Sequence, residues 1–217
     1  MNIRHWQEDK LLRKQQLAQY TQFLPNVGSI LDIGCGSGLM LEVLNDHGFS
    51  AQGIDLDSEK VADCTQKQLD ALKADALRFL KSISNEYAGI VCSHIVEHLW
   101  PGEVIKLFEL SYQRLQKNGI LIILTPNPSN LHIITNTFWL DASHKRPYPN
   151  ELLKKMLIST GFSIIKSGED RFYLPNSRFR RILLNAKRLI LGRALFDLNY
   201  SSGEIFVVAK KEAQGNA

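Results

Sequence analysis

The sequence predicts an α/β fold with a single Rossmann-like domain. Apolar runs of strand length alternate with helical patterns from Ile30 to Thr125, which indicates a parallel sheet with helices on both faces. The first of these strands breaks into a glycine-rich loop before a helix begins at Leu39. The length of 217 residues and the hydrophobic content of 44% suit one domain with a full core.

The individual elements follow from hydrophobic periodicity and from the residues that interrupt it. A helix ends before Pro25, Gly48 stops the helix after the glycine loop, and Asp57 or Ser58 caps the next one. In order, the sequence predicts helices over 7–24, 39–47, 58–62, 76–82, 103–117, 131–140 and 151–160, and strands over 30–33, 51–55, 71–74, 88–93, 120–124, 162–166 and 204–209.

The loop Gly34-Cys35-Gly36-Ser37-Gly38 has the composition of a cofactor cradle. Glycine allows a positive φ and the close approach of a ligand, and the helix that follows offers free N–H groups. A dinucleotide fingerprint requires G-x-G-x-x-G, but the third glycine, Gly38, comes one position early. Asp32, just before the loop, would repel a pyrophosphate and attract an ammonium group. We therefore expect a cofactor with a positive charge.

A second acid, Asp55, ends the next predicted strand, about 20 residues past the loop, where a ribose-binding carboxylate is expected. The two acids together suggest an adenosine that carries a cationic amino acid. On the stretches Leu31 to Gly38 and Gly53 to Asp55, the chain resembles the class I S-adenosylmethionine-dependent methyltransferases. The resemblance implies S-adenosylmethionine as cofactor and a seven-stranded, mostly parallel sheet with an antiparallel last strand.

The same resemblance implies further cofactor contacts beside the two acids and the loop residues Gly34, Cys35, Gly36 and Gly38. They are Leu56, Asp75, Ala76 and Ser93. Asp75 inherits a place beside the adenine by position alone, and it could equally be the N-cap of the helix 76–82.

Glu97 and His98 follow the predicted strand 88–93, at the sheet edge where open α/β sheets place ligands. A Val-Glu-His-Leu stretch here is similar to that of small-molecule and glycan methyltransferases. The resemblance implies that Glu97 contacts substrate and that His98 is catalytic. The alternative for His98 is an imidazole that orients a loop by a hydrogen bond.

The connection 126–149 is long enough to be a substrate loop. It contains Trp139 and the stretch Asp141 to Pro147, which resembles the Asp-x-x-His-x-Arg-Pro stretch of methyltransferases in bacterial surface-polysaccharide assembly. We expect His144 to be the base or positioning group, because an imidazole titrates near pH 7; a structural loop histidine is the alternative. Asp141 would orient it, Arg146 would hold an anionic part of the substrate, and Trp139 would contact the substrate.

Positive charge is concentrated in a predicted insertion, 171–203. Residues 171 to 193 include seven basic side chains and no acidic one, so the rest of the chain is slightly negative. The segment 178–193 reads as a basic amphipathic helix, which would dock on the domain, lie at an anionic membrane surface or hold phosphates. A nucleic-acid partner is disfavoured, because no stretch resembles a base-reading module.

The remaining sequence features set the boundaries and the expected compartment. We expect an N-terminal helix over 1–28, the domain over 29–211 and a tail over 212–217. Three scattered cysteines without ligand spacing, together with the lack of a leader or a spanning segment, predict a cytoplasmic protein without a metal, with peripheral contact at the inner membrane face if the basic helix binds lipid.

These observations favour an S-adenosylmethionine-dependent O-methyltransferase of a sugar or glycan, with a lipid-linked or phosphorylated acceptor as one form. The alternatives are methylation of another small molecule, such as a quinone precursor or a secondary metabolite, and a non-catalytic scaffold that only binds the cofactor.

Overall fold

The fold is taken from a computed structural model of the chain, which describes residues 3–170, 172 and 202–212, with side chains from residue 10 onward. The strands are β1 (Ser29–Ile33), β2 (Ser50–Asp55), β3 (Ala71–Lys73), β4 (Tyr87–Ser93), β5 (Leu115–Pro126), β6 (Phe162–Glu169) and β7 (Glu204–Lys211). The α-helices are α1 (Ile3–Ala18), α2 (Leu39–Asp46), α3 (Ser58–Gln66), α4 (Ala76–Ser82), α5 (Pro101–Arg114), α6 (Leu131–Thr135) and α7 (Asn150–Ser159). Short 3₁₀ helices cover Thr21–Phe23, Val96–His98 and Thr137–Leu140.

The seven strands form one sheet in the order β3-β2-β1-β4-β5-β7-β6. The pairs among β1 to β5 are parallel, and β7 runs antiparallel to both of its neighbours, β5 and β6. The structure confirms the predicted mostly parallel sheet with an antiparallel last strand.

Two hydrophobic cores lie on opposite faces of this sheet. In β5, Leu121 and Ile123 pack in the core that also contains residues of α4, α5 and α7, whereas Ile122 and Leu124 pack in the core shared with α1 and α2. A strand covered on both faces is apolar at every position. This is why the run 120–124 predicts a strand without any alternation, and it confirms helices on both faces.

The first helix is shorter than its hydrophobic period predicts. It ends at Ala18, and a 3₁₀ turn follows at Thr21–Phe23. The Thr21 hydroxyl donates to the Ala18 carbonyl oxygen at 2.8 Å, and such a bond competes with helix continuation. Tyr20 and Leu24 are nevertheless buried, whereas Leu11 is exposed, so the predicted helix end is incorrect.

The substrate loop also differs in detail from the prediction. The helix expected over 131–140 is divided into α6 and a 3₁₀ helix, because the backbone of Asn136 between them leaves the helical region (φ −132°, ψ −76°). The predicted basic helix 178–193 lies outside the described residues. No helix in the described part of the chain is both long and apolar enough to cross a membrane.

The order of the strands reverses between β1 and β4, which are neighbours in the sheet although β2 and β3 separate them in the chain. Ligands of open α/β sheets bind in the crevice at such a reversal, beyond the carboxyl ends of the strands. The loop 34–38 follows β1 and the segment 94–98 follows β4. The topology therefore brings these two predicted site segments together.

Candidate active site

The glycine loop turns away from β1 and leaves space for a ligand. Gly34, Gly36 and Gly38 have φ values of 72°, 52° and 84°, a region that other residues rarely adopt. A Cβ on Gly34 would lie 1.9 Å from Ile95, and one on Gly38 would lie 2.5 Å from Leu69. A Cβ on Gly36 would meet no atom within 4 Å, so the space over this glycine is open.

Asp32 is a buried carboxylate without a full set of partners. It is 1% exposed, and its Oδ2 has no hydrogen-bond partner among the described residues. Burial, and secondly the nearby charge of Asp55, raise its pKa to about 7. An unsatisfied buried polar atom is costly, so a cationic ligand group beside Asp32 would relieve that cost.

Asp55 ends β2 and stabilises the glycine loop by a hydrogen bond. Its Oδ2 accepts a hydrogen bond from the Gly36 N–H at 2.8 Å, and its Oδ1 accepts one from the Asp57 N–H at 2.9 Å. Each carboxylate oxygen has a second acceptor position. Asp55 can therefore hold the loop and still accept hydrogen bonds from a ribose.

The other residues predicted to contact cofactor lie on the same edge of the sheet. Asp75 is the N-cap of α4 and accepts a hydrogen bond from the Arg78 N–H at 2.9 Å, so the capping alternative is confirmed. Ala76 begins α4, Ser93 ends β4, and Leu56 exposes 66% of its surface. An adenine-binding role of Asp75 stays a prediction.

Cys35 differs from the glycines beside it because its side chain is turned into the protein. It is buried with Leu41 and Cys64 in a small apolar cluster, and burial raises the pKa of its thiol well above the usual range. Any contact of Cys35 with a cofactor is therefore limited to its backbone.

A second space, a cavity of about 330 Å³, opens beyond the carboxyl ends of β4 and β5. Its volume suits a small molecule. Its described apolar walls include Pro126, Ile133 and Phe138, and its polar walls include His94, His144 and Glu204.

The structure places His144 in this cavity with its tautomer fixed. Its Nδ1 lies 2.6 Å from the carbonyl oxygen of Phe138. Because a carbonyl only accepts, Nδ1 carries the proton and Nε2 keeps its lone pair. Asp141 Oδ2 lies 3.9 Å from Nε2, beyond hydrogen-bond distance. The prediction that Asp141 orients His144 is therefore wrong, since the backbone of Phe138 orients it.

Asp141 instead orients His98, through Ser143. The Ser143 hydroxyl lies 2.5 Å from Asp141 Oδ1 and 2.9 Å from His98 Nδ1. Since a carboxylate only accepts, Ser143 donates to Asp141 and accepts from His98. The hydrogen bonds that the hydroxyl and the backbone N–H of Ser143 donate to Asp141 lower the pKa of this carboxyl group. The rings of His98 and His144 lie side by side, with centroids 4.6 Å apart.

Glu97 is too enclosed for the substrate contact that the sequence predicts. It is 0% exposed. Its Oε1 lies 3.0 Å from His94 Nδ1, and its Oε2 accepts a hydrogen bond from the Thr125 hydroxyl at 3.0 Å. Its first role is to hold His94 and the end of β5 together.

Arg146 and Trp139 are not among the described walls of the cavity. The Arg146 guanidinium sits 5.0 Å from the ring centroid of the buried Tyr148. Trp139 is 57% exposed and packs edge-on against Phe138. The sequence predicts that Trp139 contacts the substrate, but the aromatic residue that lines the cavity is its buried neighbour Phe138.

His94 is a cavity residue that the sequence prediction missed. Its Nδ1 contacts Glu97, its Nε2 lies 2.9 Å from Glu204 Oε1, and Arg13 donates to the same Glu204 at 2.7 Å. Burial alone lowers the pKa of His94, but the hydrogen bonds with Glu204 and Glu97 raise it to about 9. His94 is therefore a cation at neutral pH, and it ties β4 to β7 and, through Glu204, to α1.

The sequence could indicate only part of the cluster formed by His94, Glu97, Glu204 and Arg13. His94 is the first residue after a buried strand, at the ligand-binding edge of the sheet, and position alone could have indicated it. Arg13 and Glu204 are 191 residues apart. No local pattern predicts that such a pair meets.

Two comparisons identify the family. A family model described as a methyltransferase domain matches residues 3–167. A crystal structure of an S-adenosylmethionine-dependent methyltransferase from Archaeoglobus fulgidus is 28% identical, covers 93% of this chain and 94% of its own, and superposes with a TM-score of 0.75. The chain belongs to the class I S-adenosylmethionine-dependent methyltransferases.

Over part of its length this methyltransferase is similar to curated enzymes. The ubiquinone biosynthesis O-methyltransferase of Rickettsia typhi is 33% identical over 103 residues, which is 45% of this chain and 41% of that protein. The mitochondrial ubiquinone biosynthesis O-methyltransferase of Rattus norvegicus is 32% identical over 114 residues, 48% of this chain and 32% of that protein. The matches thus span less than half of each of these relatives.

More distant structures share the fold alone. The magnesium protoporphyrin IX methyltransferase of Synechocystis with bound S-adenosylhomocysteine is 17% identical, covers 93% of this chain and 84% of its own, and has a TM-score of 0.61. The [4+2]-cyclase SpnF is 16% identical, covers 92% and 81%, and has a TM-score of 0.62.

The crevice of the methyltransferase fits its cofactor, S-adenosylmethionine. The ammonium group of the methionine moiety is the kind of donor that the unpartnered Asp32 Oδ2 lacks. The ribose hydroxyls match the free acceptor positions of Asp55, and the open space over Gly36 admits a ligand against the backbone.

The raised pKa of Asp32 predicts that cofactor binding strengthens as the pH rises to 7. Below its pKa of about 7 Asp32 is protonated, so an incoming ammonium group must displace a proton. Over about pH 5 to 7, where an α-amino group is mostly charged, we expect the affinity for S-adenosylmethionine to fall by up to about tenfold for each pH unit below the pKa. Calorimetric titration across this range measures the effect.

The Asp32→Asn variant is expected to bind the cofactor more than about tenfold more weakly at pH 7.5 and to lose the pH dependence. Asp46→Asn is the matched control, because Asp46 lies at the exposed end of α2 and the same charge is removed. A wild-type affinity that does not change with pH would contradict this role of Asp32.

The charge of His94 predicts a second pH effect, on stability. Its folded-state pKa of about 9 lies above its ordinary value of 6.5. The folded protein therefore holds this proton more tightly, and the stabilisation is complete below pH 6.5 and is lost as the pH rises through 9. We expect the wild-type free energy of unfolding to decrease over this interval, as measured by urea denaturation.

The variant His94→Asn removes this charge without straining the backbone, because Asn tolerates the positive φ of 58° at this position. It should be less stable at pH 7 by about 1.5–3 kcal/mol, the range for lost hydrogen bonds to charged groups. Its stability should also change less between pH 6.5 and 9. An unchanged slope in this variant would assign the pH effect to another group.

Proposed function

We propose that the methyltransferase transfers the methyl group of S-adenosylmethionine to a hydroxyl oxygen of a small acceptor that carries an aromatic ring. The observation that carries this proposal is the free Nε2 of His144 at the wall of the cavity. The cavity adjoins the cofactor crevice, because Ile95, next to the cavity residue His94, packs directly against Gly34.

The chemistry requires alignment more than activation of the methyl donor. S-adenosylmethionine supplies a methyl group on a positively charged sulfur, which is already a strong electrophile. The protein holds both reactants in a fixed crevice, and such proximity contributes up to roughly 7–11 kcal/mol. His144 takes the hydroxyl proton on Nε2 while the acceptor oxygen bonds to the methyl carbon, and the electron pair of the broken carbon–sulfur bond passes to sulfur.

The walls of the cavity favour a ring over a sugar. Pro126, Ile133 and Phe138 form an apolar face that suits a flat ring, whereas His94 and Glu204 are polar groups for its substituents. The similarity to ubiquinone biosynthesis O-methyltransferases supports the quinone-precursor alternative. The comparisons give no support to the glycan acceptor that the loop resemblance implies.

An acceptor screen tests the proposal. The enzyme is incubated with S-adenosylmethionine and either hydroxylated benzoates and phenols or phosphorylated hexoses, and the methylated products are detected by mass spectrometry. We expect products in the phenolic set. Products in the sugar set alone would restore the glycan acceptor, and cofactor binding without turnover of any acceptor would favour a scaffold.

Substitution of His144 tests the mechanism. His144→Ala should bind S-adenosylmethionine with nearly unchanged affinity and lose turnover by about 10²-fold or more. His132→Ala is the matched control in the same loop, because His132 is exposed on α6 and is not among the described cavity walls. Equal turnover of the His144→Ala variant and the wild type would remove His144 from the reaction.

A further inference from the structure

Three side chains of types that bind metal ions lie close together where the loop 126–149 meets the segment after β4. One ligand atom from each of Glu97, His98 and His144 lies within 4.8 Å of the other two. The scattered cysteines, which lack metal-ligand spacing, led us to expect no metal. Glu97 and His98 are adjacent in the chain, whereas His144 belongs to the distant loop. Folding of the loop creates a cluster that the spacing does not show.

Both imidazoles present a lone pair rather than a proton at Nε2. His144 donates its Nδ1 proton to the Phe138 carbonyl, and His98 donates its Nδ1 proton to the Ser143 hydroxyl, which is held by Asp141. Among the described residues, neither Nε2 has a hydrogen-bond donor. Metal-binding histidines have this arrangement, in which an outer partner fixes the tautomer and turns the other nitrogen to the metal.

The third group of the cluster is a carboxylate that keeps free acceptor positions. Glu97 is buried, and each of its oxygens has one partner, His94 or Thr125. A carboxylate has about four acceptor positions. Two imidazoles and a carboxylate thus lie together with ligand atoms within 4.8 Å of one another, an arrangement of acceptors that a cation would stabilise.

We propose that Glu97, His98 and His144 bind one divalent transition-metal ion. Two nitrogens and one oxygen suit Zn²⁺, Co²⁺ or Fe²⁺ better than Mg²⁺, which prefers oxygen ligands. Three protein ligands leave a coordination position open, as in catalytic zinc sites. Because His144 also lines the cavity, the ion lies at the edge of the acceptor site.

This inference rests on the proposed function and changes how the hydroxyl is activated. An acceptor hydroxyl that takes the open position becomes more acidic and releases its proton to solvent. The resulting oxygen bonds to the methyl carbon, the carbon–sulfur bond breaks, and its electron pair passes to sulfur. His144 then acts as a ligand, and the ion replaces it as the group that favours the deprotonated oxygen.

The test is titration of the chelator-treated, full-length protein with Co²⁺, without cofactor or acceptor, followed by visible absorption. We expect one Co²⁺ per chain with bands typical of a site of low coordination number. His98→Ala and His144→Ala should each weaken binding by at least tenfold, and Ser143→Ala, which removes an outer partner, should weaken it by roughly 10-fold or more. His132→Ala and His47→Ala are matched controls and should bind as the wild type does.

Equal Co²⁺ binding by the wild type and a His98→Ala/His144→Ala double variant, both folded by circular dichroism, would overturn the metal site. Methyl transfer by the metal-free enzyme separates the two proposals. Full turnover without metal, still lost in His144→Ala, would overturn the metal site and leave His144 as the base of the proposed function. Turnover restored by Co²⁺ or Zn²⁺ in the wild type and not in His98→Ala would support the metal site.

Discussion

Parallel pairing of β1 with β4 is the contact on which both halves of the site depend. Asp32 stands opposite Val91 in this register, so β1 and β4 end at nearly the same level of the sheet and the loops that follow them start side by side. The glycine loop then fits against Ile95 only because Gly34 has no Cβ. The cofactor crevice and the cavity beyond β4 and β5 are neighbours for this reason, and a shift of the register would separate them.

Charge is the second constraint on the site. The crevice contains a carboxylate with a raised pKa, Asp32, whereas the cavity contains a charged imidazole, His94, held by Glu97 and Glu204. The second arrangement is satisfied inside the protein and stabilises it. Asp32 Oδ2, in contrast, has no hydrogen-bond partner in the described part of the chain until a ligand binds. A site of this kind lowers stability in favour of function.

The sequence predicted the fold and the cofactor edge because both depend on local signals. Buried strands are apolar runs, and the glycine loop with Asp32 and Asp55 is a short pattern with a direct chemical meaning. The cavity beside the crevice was predicted less well, since its walls depend on how the loop 126–149 returns to the sheet. His144 lines the cavity, but its hydrogen-bond partner is a backbone carbonyl, and the Arg13–Glu204 pair joins residues far apart in the chain. Neither contact has a local pattern.

The measurement that tests the central claim most directly is calorimetric titration of the purified protein with S-adenosylmethionine and, separately, with NAD. A crevice built from an unpartnered carboxylate and a shifted third glycine should bind S-adenosylmethionine in the micromolar range and should not bind NAD. Binding of NAD alone, or of neither ligand by a folded sample, would contradict the account.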